Sequence, residues 1–140
     1  KMPENLELYP MVNKYGAHKG LVYFREAIIE SKVQSVDNIG GHYKHLYGYC
    51  RSKYTAATIK ALREAGFSIR GVIDDNDKFS ESHFLGYKTM NSSTFFRNVK
   101  DNLSDVVVII THQRTKTLKK ISRHLINNGL KKRQILTIKY

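Results

Sequence analysis

The segment Leu46-Tyr47-Gly48-Tyr49-Cys50-Arg51-Ser52 runs into a helical stretch, which is followed by Ile69-Arg70-Gly71-Val72-Ile73-Asp74-Asp75-Asn76-Asp77. An apolar strand that turns through a glycine into a helix, then a second apolar strand ending in acids, constrains the chain more than any other feature. Two strands joined by a helix lie parallel, and a parallel sheet needs helices over its faces to bury it. This part of the chain is thereby committed to alternating strands and helices.

The rest of the sequence keeps up the alternation. From His45 onward the pattern predicts strand 45–50, helix 52–65, strand 67–74, a short strand near 85–90, helix 92–101, strand 105–111, helix 115–128 and strand 133–139. Gly66 and Gly129 stand just past two of these helices, where a left-handed cap favours glycine. Val106 to Ile110 is apolar without interruption, as a central strand buried on both faces should be. The expected fold is α/β: a Rossmann-like three-layer α/β/α domain over residues 45–140, with a mainly parallel sheet and right-handed crossovers.

An N-terminal arm and helix precede it. Residues 1–20 hold both prolines, Pro3 and Pro10, together with Gly16 and Gly20, and read as extended chain without helical or strand periodicity. Apolar residues at 21, 24, 28 and 29 then mark one face of a helix lasting to about Val36, stopped by Asp37-Asn38-Ile39-Gly40-Gly41. Residues 1–44 have no evident place in the alternating pattern. They read as a linker or interface toward a second copy of the chain or a neighbouring transferase domain.

At 140 residues the chain suits one compact domain, and 41% apolar with 26% charged residues excludes wholesale disorder. The longest apolar run, Val106 to Ile110, falls far short of the roughly 20 residues that cross a bilayer. One cysteine, Cys50, makes no internal disulfide, and no secretory pattern opens the chain, so a reducing, cytoplasmic setting is expected. Starting at Lys1 rather than methionine, the sequence reads as an excised piece with neighbours missing. A formal net charge of +12 attracts polyanions, though lysines that merely solvate helix faces give the same count.

A dinucleotide-binding turn uses three glycines in the pattern Gly-x-Gly-x-x-Gly, so that backbone can approach a pyrophosphate at a helix N-terminus. Here Gly48 takes the first glycine position, while Cys50 and Lys53 occupy the other two. Simple NAD binding is disfavoured, yet Arg51, Ser52 and Lys53 supply donors suited to phosphate beside Tyr49 at the strand tip. Asp74 comes about twenty residues later, where a carboxylate can accept bonds from a ribose hydroxyl, and Asp75 adjoins it. Thr111 and His112 end the predicted central strand, and ligands in open parallel sheets sit outside such ends. His112 could bind phosphate or move a proton near neutral pH.

Residues 45–140 resemble the Rossmann-like domain at the N-terminus of bacterial sugar acyltransferases of the sialic acid and bacillosamine type. The similarity rests on Leu46-Tyr47-Gly48-Tyr49-Cys50, on Gly71-Val72-Ile73-Asp74-Asp75-Asn76, and on Leu85-Gly86-Tyr87. It implies a bound nucleotide-linked sugar, UDP-linked by expectation, with Gly48, Asp74 and Asp75 at the site. The sequence departs from that family in two ways. Its first turn is poor in glycine, and no hexapeptide-repeat module, which carries the catalytic histidine and acetyl-CoA site in those enzymes, follows.

Other constellations fare less well. A phospho-receiver would need an acceptor aspartate where Thr111-His112 end the strand. His42, His45 and Cys50 fit no closed four-ligand metal pattern. Lys116, Lys119, Lys120, Arg123, Lys131, Lys132 and Arg133 could meet a phosphate backbone, but aromatics for base stacking are not interleaved. The sequence therefore points to a nucleotide-sugar-binding or regulatory module of a bacterial glycan-modifying system, with no catalytic residues and no metal of its own. The alternative is a basic module for nucleic acid or another polyanion.

Overall fold

The computed structural model describes residues 5–6, 45–64, 68–79 and 82–139. These form β1 Asn5–Leu6, β2 His45–Tyr49, α1 Lys53–Glu64, β3 Ile69–Ile73, β4 His83–Phe84, β5 Tyr87–Met90, α2 Ser92–Asn98, β6 Val106–His112, α3 Thr115–Asn127 and β7 Ile135–Lys139. The strands make one sheet in the order β1-β7-β6-β2-β3-β5-β4. Every pair is parallel except β4 with β5. Taken in chain order, β2, β3, β5, β6 and β7 are arranged 3-2-1-4-5, the order of a Rossmann-like sheet.

Two layers of helix bury this sheet. The faces are set by the pleat, since alternate side chains along a strand point to opposite sides. On β2, Gly48 faces Thr55 and Ile59 of α1, while Tyr47 faces Phe95 of α2 at 4.9 Å between ring centroids. Buried Phe95, Val99, Leu118 and Leu125 of the α2–α3 layer pack with Val106, Val108 and Ile110 of β6. Val106, Val107, Val108 and Ile110 are all 0% exposed, so β6 is covered on both faces as its unbroken apolar run requires.

The helix ends follow from local chemistry. Ser52 caps α1, its hydroxyl accepting the Thr55 N–H at 3.2 Å. Asn91 caps α2, its side chain accepting from the Thr94 N–H at 2.8 Å. At the end of α3, Gly129 adopts φ +116 while its N–H bonds to Ile126 and that of Leu130 to Leu125. That is a Schellman cap, with buried Leu125 and Leu130 both in the core.

Three features differ from the sequence reading. Asn5–Leu6, read as part of an extended arm, form β1 against β7, in parallel register with Thr137 and Ile138. Two residues are too short to carry a strand period. The predicted helix 92–101 ends at Asn98, and a 3-10 segment, Lys100–Asp105, turns the chain so that Val99 is buried. Finally, the single short strand predicted near 85–90 is a hairpin, His83–Phe84 of β4 against Tyr87–Met90 of β5, and a 3-10 turn at Asp77–Phe79 precedes it. The predicted helix near 21–36 and Gly66 lie outside the described residues.

The two-residue hairpin loop is Leu85-Gly86, and both have positive φ, 54 and 86. Mirror-image turns of this kind match strand twist and favour Asn-Gly, because a branched side chain is strained in the left-handed region. Replacing Leu85→Asn is expected to raise unfolding stability by about 1 kcal/mol, read as a higher urea midpoint at unchanged slope.

Candidate functional site

Strand order reverses between β2 and β6, the position at which open parallel sheets leave a crevice outside the carboxyl ends of their strands. Residues Tyr49 to Lys53 and Thr111 to Arg114 lie at and just after those ends. The sequence reading assigns Gly48 to close approach of a ligand. In the structure Gly48 is buried one residue before the tip and faces the helix. A Cβ at this position would meet Thr55 Cγ2 at 3.3 Å and Ile59 Cδ1 at 3.4 Å. What its missing side chain admits is α1, which closes onto the sheet.

Cys50, at the second glycine position of the motif, retains a glycine-like backbone with φ 78. Its N–H extends the ladder to the Ile73 carbonyl at 2.9 Å. The Thr55 hydroxyl donates to the Cys50 carbonyl and is itself hydrogen-bonded to the Thr111 hydroxyl. Thr55 and Thr111 are both 1% exposed, so this pair forms a polar floor joining the tips of β2 and β6.

The two carboxylates after β3 are tied to the same tip. Asp74 accepts the Arg51 N–H at 2.8 Å through Oδ2 and the Asn76 N–H at 2.9 Å through Oδ1. Asp75 accepts from the Tyr49 hydroxyl and, at 2.7 Å, from the Ser92 N–H. Ser92 in turn shares a hydrogen bond of 3.1 Å with His124 Nε2. Each carboxylate oxygen has two lone-pair sites, so both groups keep acceptor capacity beyond these bonds.

Burial opposes the charge on Asp75, but the Tyr49 hydroxyl, the Ser92 N–H and hydroxyl and the nearby His124 outweigh it and hold its pKa below the usual value. Tyr49 is pushed the other way, by burial first and then by Asp75, so its phenol stays protonated. Burial, with Asp74 and Asp75 adding to it, pushes the Cys50 thiol up to about 12. A thiol so placed is a poor nucleophile.

The donors expected to meet phosphate divide between two tasks. The Arg51 guanidinium bonds to the Ser82 hydroxyl and lies 4.5 Å from the Phe79 ring centre and 5.2 Å from that of Phe84. It thus braces the β3–β5 connection. Ser52 commits its hydroxyl oxygen to the α1 cap, while the exposed Lys53 ammonium lies 5.3 Å from the Tyr54 ring centre. Across the crevice, half-buried His112 accepts the Arg114 N–H through Nδ1 at 3.0 Å. Burial and then Arg114 lower its pKa, favouring a neutral ring whose Nε2–H is the remaining donor.

The structure therefore ties the β2 tip to the loop after β3 by two separate pairs, Arg51 with Asp74 and Tyr49 with Asp75, and joins Thr111 to the same tip through Thr55. Sequence reasoning did not single out Thr55, Ser92 or His124. The Asn91-Ser92-Ser93-Thr94 run signals a helix start, but nothing local announces that His124 on α3 reaches it. His45 and Cys50 stand at opposite ends of β2, roughly 16 Å apart by strand rise, so the two cannot share one metal ion. Among the described residues no group of three His, Cys, Asp or Glu side chains could hold a metal, and no helix is long and apolar enough to cross a membrane.

Two outcomes follow from these shifts. The depressed Asp75 pKa means its stabilisation is complete above the unfolded carboxylate value of about 3.9 and is lost as pH falls through the folded value. Denaturation midpoints should therefore drop more steeply below about pH 4 for the wild type than for Asp75→Asn. Cys50 should react with iodoacetamide at pH 7.5 at least about tenfold more slowly in the folded protein than in urea.

The chain matches no protein-family model, no curated protein and no solved structure.

Proposed function

We propose that this domain binds a nucleotide, in the form of a UDP-linked or related nucleotide sugar, and serves as a non-catalytic or regulatory module of a bacterial glycan-modifying system. The observation that carries the reading is the convergence of Asp74 and Asp75 on the β2 tip beside the strand-order reversal. In open parallel sheets that position takes nucleotides, with an acid after the second strand accepting from ribose. The similarity of Gly71-Val72-Ile73-Asp74-Asp75-Asn76 to the acyltransferase domain adds the sugar.

The ligand would lie above the Thr55–Thr111 floor. Asp74 and Asp75 would accept from ribose or base through their remaining lone pairs. The first turn of α1, with Ser52 and Lys53, would face phosphate, and His112 would donate through Nε2. Arg51 would shape the wall rather than grip the phosphate, since Phe79, Phe84 and Ser82 occupy its guanidinium. The domain would act in the cytoplasm, where nucleotide sugars are made, joined to a transferase or to a second copy of itself through residues 1–44.

Titration of UDP-N-acetylglucosamine, UMP, CoA and NAD, followed by backbone amide shifts, tests this reading. The uridine compounds should move the amides of residues 50–54, 74–76 and 112–114, and the Asp74→Asn variant should bind about tenfold more weakly. Lys53→Gln, which leaves the Asp74 bonds intact, should also weaken the phosphate-bearing ligands. Absence of any shift at these amides at millimolar ligand would sink the proposal.

A further inference from the structure

We infer that the outer ridge of α3, continued by the turn at 131–133, is a docking surface for the phosphate backbone of nucleic acid, read without regard to base sequence. This surface is independent of the crevice. Helix α3, Thr115–Asn127, contains no acidic residue. Lys116, Lys119, Lys120 and Arg123 recur at spacings of three and four residues and so share one side of the helix. At about 100° per residue they span an arc of roughly 100°, centred nearly opposite the arc of Leu118, Ile121 and Leu125 that packs on the core.

Three further cations follow the helix within a few residues. All four cations are exposed, and so are Lys131, Lys132 and Arg133. The Schellman cap at Gly129 reverses the chain so that buried Leu130 anchors the turn directly after the helix. Gln134 then fixes the turn, its amide donating to the Leu103 carbonyl at 2.7 Å and the Val106 carbonyl at 2.9 Å. The exposed positive side chains thus project from backbone fixed by the cap and by Gln134, where an outside anion can reach them.

The spacing and the surroundings favour a phosphate chain over a membrane. Cations separated by about 4.5 to 6 Å along a straight helix can track a backbone carrying one charge every 3.4 Å per strand. A helix that lies on lipid sets apolar side chains beside its cations to enter the acyl region. The exposed large hydrophobic residue of described burial is Ile126 of α3, at 43%; one such side chain, a turn after Arg123, is too little to form an apolar face that enters lipid. Aromatic side chains for stacking on bases do not accompany the ridge, hence the lack of sequence preference.

The test uses the whole chain with a mixed-sequence 20-base-pair DNA duplex, followed by fluorescence anisotropy between 50 and 200 mM salt. Binding should weaken with a log–log salt slope of about −4 to −6, as expected if most of the seven cations each release a counterion. The triple variant Lys119→Gln, Arg123→Gln and Lys132→Gln should flatten the slope by about 2.7 and weaken binding at least about tenfold at 100 mM salt. Neutralising the exposed Lys60, Arg70 and Lys78 instead removes the same net charge away from the ridge and should change binding less than about twofold. Circular dichroism confirms that both variants stay folded. Equal losses in the two variants, no duplex binding at 50 mM salt, or binding to phosphatidylserine vesicles in place of the duplex would each overturn the assignment.

Discussion

The parallel pairing of β2 with β6 is the constraint on which the rest of the structure depends. Five consecutive residue pairs, His45 with Val106 through Tyr49 with Ile110, bring together segments about sixty residues apart in sequence. The pairing is fixed because β6 is buried on both faces, and each fully buried valine or isoleucine contributes about 1.5–3 kcal/mol. Sliding β2 by one residue would turn Tyr47 and Tyr49 into the α1 layer and set Gly48 against α2. The same pairing marks where the strand order reverses, the position of the candidate site. Stability and the location of the candidate site thus share one cause.

At the tip of β2 the chain is tied by polar bonds. The loop after β3 supplies two acceptors, and these take a backbone N–H after β2, the Tyr49 phenol and the first N–H of α2. Hydrogen bonds to a charged acceptor are worth about 1.5–3 kcal/mol, more than neutral ones. The strained backbone at Cys50 fits the same picture: a non-glycine residue keeps φ 78 only because bonds from Thr55 and to Ile73 hold it there.

How much of this was legible depends on how local each cause is. The uninterrupted run at Val106–Ile110 announced a central strand, and Gly129 announced a helix end, because each effect acts within a few residues. Asp74 could be placed at the crevice from its distance after the first turn, since a βαβ unit has nearly fixed dimensions. Gly48 was harder. A glycine at a strand end serves ligand approach or helix packing, and only the direction of its Cα substituent separates them. The Arg51 side chain read as a phosphate donor, but its direction depends on Phe79, Ser82 and Phe84, some thirty residues away.

The sequence by itself determined the alternation of strands and helices, the double burial of β6 and the acidic end of β3, because periodicity and glycine placement act over one element at a time. Tertiary structure alone decided which tips meet. It set Asp75 against Tyr49 and Ser92, linked Thr55 to Thr111 across the strand reversal, and left the cations of α3 on an outer ridge. Such contacts depend on the register and crossing of elements distant in the chain, and residue identity at either end does not encode the partner.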